Sequence, residues 1–294
     1  VPIKKPFIPT VFLLLVATSC KLFDSGVTIP SYLYIKPTQL QVNADLSQGA
    51  AGLDTTDVWV FANGKLIGAF ATPALIPVLK TGDVVITTNH GIKQNGQDEE
   101  RMIYPMLKEF TVTVNLKAER IDTIQPIVTY LNNATFPLIE DFDRAGLNFE
   151  YNPQFKRDGD TLEKITGSQA WLPNQFSGRV TLKNDSTILE IYSRVFNNFR
   201  KYTTTFLELD YRNNIPFVVG MYVTEPDGNV RQVPLFYFNE KAKWNKLYLN
   251  LENEIGAFMG NSAIRLFFRF SKNYNPQVIN PEIWLDNIKL IYLD

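Results

Sequence analysis

The sequence predicts an all-β protein built of two β-sandwiches in tandem, and three observations carry that prediction. Short runs rich in Val, Ile, Thr, Phe and Tyr recur along most of the chain, each closed by Asn, Asp, Gly or Pro, which is the pattern of strands joined by turns. The pattern lapses at Leu131-Asn132-Asn133-Ala134-Thr135-Phe136-Pro137, a polar stretch ending in Pro that reads as a linker. With 294 residues, 45% of them hydrophobic and 13% aromatic, the chain is long enough for about two domains, each with its own core.

Residues 28–131 supply the first sandwich. Tyr32–Ile35, Gln39–Ala44, Val84–Asn89, Phe110–Leu116 and Ile124–Tyr130 read as strands, and Asp57–Ala62 and Lys65–Phe70 flank Asn63-Gly64. That pair is a strong hairpin signal, because a type I′ turn needs positive φ at both central residues and Asn-Gly tolerates it. About seven strands in roughly a hundred residues suit an immunoglobulin-like or transthyretin-like sandwich, here without the immunoglobulin Cys pair.

Residues 132–294 supply the second. Its strands are expected at Gly178–Leu182, Ile188–Ser193, Thr204–Tyr211, Phe217–Thr224, Leu235–Asn239, Trp244–Leu251, Ala263–Phe270 and Trp284–Leu293, with one short helix or loop at 252–259. In Phe206-Leu207-Glu208-Leu209-Asp210-Tyr211 the period-two alternation puts Glu208 and Asp210 on one face and Leu207, Leu209 and Tyr211 on the other. No repeat of fixed period points to a solenoid or propeller. The acidic opening Ile139-Glu140-Asp141-Phe142-Asp143, the internal Trp244-Asn245-Lys246-Leu247-Tyr248-Leu249-Asn250-Leu251 and the closing Trp284-Leu285-Asp286-Asn287-Ile288-Lys289-Leu290 resemble the galactose-binding-like jelly rolls that include many carbohydrate-binding modules. The resemblance implies a jelly-roll fold for this half, and a fold does not fix a function.

The N-terminus reads as an address. Lys4 and Lys5 precede an apolar run, Phe7 to Val16, too short to span a bilayer as a helix, and small residues follow, which together make a signal peptide over 1–19. Ala17-Thr18-Ser19-Cys20 resembles the lipobox of a bacterial lipoprotein, with Ala where Leu is usual. The resemblance implies a Bacteroidota-type outer-membrane lipoprotein in which Cys20 carries a diacylglycerol on sulfur and a further acyl chain, such as palmitate, on its amine, followed by a tether over 20–27. Each buried methylene contributes about 0.8 kcal/mol, so three chains anchor the protein durably where one would not. No Asp follows Cys20, which favours the outer membrane, and Lys21 with Asp24 partly matches a surface-export signal. Removing Lys4 and Lys5 with the signal leaves 27 basic against 30 acidic residues, so nothing in the overall charge draws the body onto anionic lipid.

The same inventory excludes several chemistries. One Cys and one His (His90) cannot furnish a zinc site, a disulfide framework or, without His90, a Ser-His-Asp or Cys-His site. A near-balance of 29 basic and 30 acidic residues argues against nucleic acid as partner. Carboxylates remain. Glu140, Asp141, Asp143 and Asp286 would lie close if the first and last jelly-roll strands pair, as the resemblance implies, and a structural calcium is the one cofactor they would suit; acidic residues solvated at a strand edge, or paired with Arg144, have the same appearance. Glu208 and Asp210 are the type of pair a glycoside hydrolase needs, with no catalytic motif around them. Aromatic side chains stack on sugar rings, and the candidates for a ligand platform are Trp171, in a polar Pro-containing loop, and, as a second exposed group, Arg200 and Tyr202; a Trp171 packed over the sandwich edge is the favoured reading of that loop. Trp59, Trp244 and Trp284 fall within strands and are expected in the core. The expectation is a non-catalytic, lipid-anchored outer-membrane lipoprotein that binds a protein partner in the envelope or helps assemble it. The alternative is a surface glycan-binding protein; a hydrolase ranks third.

Overall fold

The computed structural model describes residues 29–294 apart from 44–46, 157, 173, 184–187, 198–202, 259 and 261. Cys20, Arg200 and Tyr202 lie outside the described residues. No helix among the described residues is long and apolar enough to cross a membrane.

The first half contains β1 (Ser31–Ile35), β2 (Gln39–Leu40), β3 (Asp57–Ala62), β4 (Lys65–Ala71), β5 (Ala74–Val78), β6 (Gly82–Lys93), β7 (Arg101–Ile103), β8 (Phe110–Leu116), β9 (Ile121–Ile124) and β10 (Ile127–Val128). One sheet runs β5-β1-β9 and another β4-β3-β6-β7, with β8 also on β6; β2 and β10 make a short parallel pair. Alternation turns Leu33 and Ile35 of β1 toward Val58, Val60 and Ala62 of β3, and these with Ile76, Val78, Val84 and Ile86 form the core between the sheets. The Asn63-Gly64 turn is present, with φ of 50° and 75°. β5 is absent from the sequence expectation because Pro77 interrupts its pattern; it is an edge strand, the one place in a sheet where a missing N–H is tolerated. The strand expected over 124–130 is two short ones, broken at Gln125-Pro126 for the same reason.

The second half contains β11 (Ala134–Glu140), β12 (Phe149–Tyr151), β13 (Thr161–Thr166), β14 (Phe176–Thr181), β15 (Ile188–Ser193), β16 (Thr205–Asn213), β17 (Phe217–Thr224), β18 (Val230–Phe238), β19 (Lys241–Asn250), the short helix α1 (Glu252–Gly256), β20 (Ala263–Ser271) and β21 (Glu282–Leu293). A six-stranded sheet (β13-β14-β21-β16-β19, with β11 on β21) faces a five-stranded one (β12-β15-β20-β17-β18). Leu207, Leu209, Leu285, Leu290, Phe217, Val219, Phe268 and Phe270 are among the side chains packed between them. The stretch expected to be a linker is strand from Ala134 onward, paired with the last residues of β21, and Pro137 falls where the register slips between Thr135 and Leu138.

The two halves are joined by more than the chain crossing. The turn after β6 reaches the outer edge of the six-stranded sheet, where Asn95 N donates to Tyr248 O at 2.9 Å and Asn250 N donates to Asn95 Oδ1 at 3.0 Å. A third apolar cluster holds Leu40, Ile92, Tyr104, Met106, Val128 and Tyr130 of the first half against Phe206, Tyr248 and Ile291 of the second.

Candidate functional site

Period-two alternation sends one side chain in two away from the jelly-roll core, so each sheet of the second half has an outward face.

On the six-stranded sheet the outward residues form rows. Glu163, Arg179, Trp284 and Arg212 are successive cross-strand partners over β13, β14, β21 and β16, and Trp244 of β19 extends the row. The next row holds Asp286, Asp210 and Lys246, and the one after it Lys289, Glu208 and Tyr248. The first half lies over these latter rows. Lys246 Nζ sits 3.2 Å from both Glu208 Oε2 and Asp210 Oδ2, with its side chain 2% exposed. Tyr104 and Tyr130 donate to Glu208 Oε1 at 2.6 and 3.1 Å, Asn287 Nδ2 donates to Asp210 Oδ2 at 3.0 Å, and Lys289 Nζ donates to Ala50 O at 2.7 Å. Burial raises the phenols of Tyr104, Tyr130 and Tyr248 well above their ordinary range, which keeps them neutral donors. Burial also raises Asp210 and pulls Lys289 down to about 8, whereas the two carboxylates facing Lys246 outweigh its burial and raise it.

Glu208 and Asp210, the expected hydrolase pair, are therefore sealed in a domain seam with a lysine between them. The neighbouring cavity of about 260 Å³ is lined by Lys246 and Tyr248 but by neither carboxylate. The pair has no cleft in which to flank a glycosidic bond.

Trp171 belongs to the same seam. It is half-buried, its N–H donates to Ser177 Oγ at 2.8 Å, and a Cβ added to Gly52 would lie 2.8 Å from its Cη2 and 3.1 Å from Asp210 Oδ2. Only a glycine admits this approach of the first half to the sheet, so Trp171 packs against the other half instead of standing free as a platform.

The four carboxylates expected at a calcium site do not gather. Glu140 is opposite Ile288 in the register, and a bulge at Asn287 (φ 49°) turns Asp286 to the outward face. Glu140 accepts from the N–H of Phe142 at 3.0 Å and of Asn148 at 2.5 Å. Asp286 accepts from Asn174 Nδ2, Ser177 Oγ and its neighbour's N–H at 2.8, 2.5 and 2.6 Å. Asp141 accepts from Asp143 N and Asp143 from Phe176 N. Their lone pairs thus meet protein donors, and among the described residues no three His, Cys, Asp or Glu side chains are grouped to hold a metal ion. Burial, with Asp210 nearby, pushes Asp286 up to about 8 despite its three donors.

The outward face of the five-stranded sheet is partly covered: Asn152 and Phe155 lie over Glu190 and Arg269 and Tyr274 packs on Tyr237, leaving Tyr192 and Tyr222 half-buried and Tyr237 exposed. One row runs Glu150, Tyr192, Phe267, Gly220 and Pro234; a second Glu190, Arg269, Val218 and Tyr237; a third Arg265, Tyr222 and Gln232. Glu190 is fully buried at its centre. It is bound by Arg269 Nη2 at 2.6 Å and Nε at 2.7 Å, Tyr222 OH at 2.7 Å and Asn152 Nδ2 at 2.7 Å. Burial and the bond to Glu190 push the Tyr222 phenol up to about 12. The Arg265 guanidinium lies 3.9 Å from the Tyr192 ring centroid, and Tyr222 packs on Phe267 at 5.1 Å. A Cβ on Gly220 would strike the Phe267 ring, so the glycine lets that ring lie down on β17. The result is a fixed, shallow surface of tyrosine rings, guanidinium groups and amides.

Sequence reasoning missed both faces. Trp59 is half-buried between inward Val58 and Val60, Trp244 is half-buried on the outward face, and Trp284 is buried as expected but on that same outward face, under Arg212. The signal was available, since Trp244 is in phase with Lys246 and Trp284 with Asp286.

No family model matches the sequence, and no curated protein matches it. Among solved structures the chain is similar to the enzymatically active domain of bacteriophage CBA120 tailspike protein 4, at 11% identity over 50% of this chain and 19% of that one, with a TM-score of 0.40. It is similar to a CBM22-1 xylan-binding domain from Paenibacillus barcinonensis at 11% identity over 56% of this chain and 98% of the domain, TM-score 0.38. A carbohydrate-binding module of the β-sandwich superfamily covers 80% of this chain and 84% of its own length at 13% identity, TM-score 0.38. The chain thus spans about a fifth of the tailspike domain.

Proposed function

We propose that the protein is a non-catalytic glycan-binding protein and that its ligand lies on the outward face of the five-stranded sheet. The observation that carries this reading is the buried Glu190, held by Arg269, Tyr222 and Asn152 beneath a partly exposed surface bearing Tyr192, Tyr222 and Tyr237. Sugars are recognised by flat aromatic faces for their CH groups and by pre-positioned charged and amide groups for their hydroxyls, and a carboxylate that fixes its neighbours orients both at little entropic cost on binding. The core of a protein interface is depleted of charged residues; here Glu190, Arg269 and Arg265 occupy the central strands of the face. This favours the glycan reading over the envelope-assembly reading. The N-terminal half, with β1 parallel to β9, is read as an immunoglobulin-like spacer between this face and an outer-membrane anchor at Cys20.

A glycan array probed with the full chain should show binding to at least one neutral glycan, weakened about tenfold or more by Tyr222→Ala and by Tyr192→Ala with the fold intact by circular dichroism. Binding that both variants leave unchanged would move the site elsewhere, and no binding at all would return the weight to a protein partner. The anchor has its own measurement: Cys20→Ala should abolish incorporation of a clickable fatty acid in a bacterial host that processes lipoproteins. Labelling that persists would exclude Cys20 as the acylated residue.

A further inference from the structure

We propose a second ligand site, separate from the first, on the outward face of the six-stranded sheet: Arg212 and Trp244 take a uronate sugar, with its carboxylate on the guanidinium and its apolar ring face on the indole. The Arg212 guanidinium lies 4.0 Å from the Trp284 ring centroid and 5.8 Å from that of Trp244, so it is seated between two indoles. No hydrogen bond or ion pair engages it among the described residues, and its Nε and the Nε1 of Trp284 are both buried without a partner. The nearby carboxylate, Glu282, is taken by Arg179 at 3.5 Å, and Arg179 is bound in turn by Glu163 at 2.5 Å. Lys241 and Lys243 are exposed on the adjoining strand.

This arrangement differs from every other arginine the two faces present. Arg269 is matched by Glu190 and Arg265 is 3.9 Å from Glu150, whereas Arg212 is fixed in place by aromatic stacking, with Glu282 near enough to be felt but bonded to Arg179 and not to it. A guanidinium pre-positioned by stacking offers paired N–H donors to a planar anion. A neutral sugar would satisfy Trp244 but leave the charge unmatched, and an acidic peptide would meet the charge but bring no flat CH face. A uronate brings both on one ring. The row position keeps the site clear of the seam, whose covered residues begin one row further along the strands.

Affinity electrophoresis of the full chain in gels containing polygalacturonate, against gels containing neutral xylan, tests the assignment. Retardation by polygalacturonate is expected and should fall with added salt. Arg212→Gln should weaken it about 10- to 100-fold, Trp244→Ala about tenfold, and Arg212→Lys should recover only part of the loss because the ammonium cannot stack or bind bidentately. Tyr222→Ala should leave polygalacturonate retardation unchanged, which separates this site from the one on the opposite sheet. Trp244 is half-buried on an outward face, so its truncation remains informative if Arg212→Gln fails to fold. Equal retardation of wild type, Arg212→Gln and Trp244→Ala would overturn the proposal. So would the absence of retardation, and so would full competition by poly-glutamate at equal charge, which would identify an acidic peptide as the ligand.

Discussion

Replacing Lys246 with methionine is expected to cost about 3–5 kcal/mol of stability, although the side chain keeps its volume. The physical reason lies in what remains. Lys246 is the cation between Glu208 and Asp210, 3.2 Å from each, and all three are almost fully buried. Methionine fills the space but leaves two carboxylates facing each other away from water, and the tyrosines that donate to Glu208 cannot supply a charge. Chemical denaturation at pH 7 measures the effect. The double variant Lys246→Met with Glu208→Gln should be less destabilised than Lys246→Met alone, because it removes one of the stranded charges. A cost below about 1 kcal/mol for the single variant would mean that solvent reaches the seam or that the carboxylates protonate freely, and the sealed seam described above would be wrong.

The second large effect is a loss of stability in mild acid, carried by His90. This residue is almost completely buried on β6, with Nδ1 2.7 Å from Thr38 Oγ1 and Nε2 3.4 Å from Thr88 Oγ1. Burial lowers its pKa from the ordinary 6.5 to about 4. The unfolded chain therefore binds the proton more readily. His90's contribution is fully present above about pH 6.5 and is lost as the pH falls from there through about 4, a change of about 3 kcal/mol. Asp210, Glu140 and Asp286 are raised by burial and work in the opposite sense, favouring the folded state at low pH. The measurement is accordingly a difference: the stability advantage of wild type over His90→Gln should shrink by about 3 kcal/mol between pH 7 and pH 4. A constant difference across that range would show that the imidazole is protonated, or reached by water, in the fold.

Strand-by-strand, the architecture was readable because alternation and turn residues are local signals. The Asn63-Gly64 hairpin and the strands from Ile188 onward sit where residue pattern alone places them, except that the strand expected from Leu235 begins at Val230, and the stretch expected as a short helix or loop after Asn250 is a helix over Glu252–Gly256. What escaped were β5 and β11, whose prolines argue against a sheet and are outweighed by an edge position or a register slip, and β7, β12 and β13, which carry charged residues and little apolar alternation. The sites were harder for a different reason. Alternation correctly put Glu208 and Asp210 on one face, but a polar face ordinarily means solvent, and here it meets Tyr104 and Tyr130 from 104 and 78 residues away. No local pattern announces a partner at that distance. Trp171 was singled out for lying in a loop, and the same long-range packing covers it. Trp244 and Trp284 were assigned to the core by residue type, where their phase with Lys246 and Asp286 argued for the outside.

The seam also has a mechanical meaning. Interfaces between domains of one chain are commonly small and yielding, so that the domains swing about the peptide joining them. Here any swing would have to part Tyr104 and Tyr130 from Glu208 and Lys289 from Ala50, and would uncover the Glu208–Lys246–Asp210 cluster to water as it did so. The molecule consequently behaves as a strut with no hinge at residues 131–134. A pull between the five-stranded face and the N-terminal half would be borne by the hydrogen bonds and packed rings that cross the seam, and the direction in which that face points would be set by the fold and not by the slack of a linker.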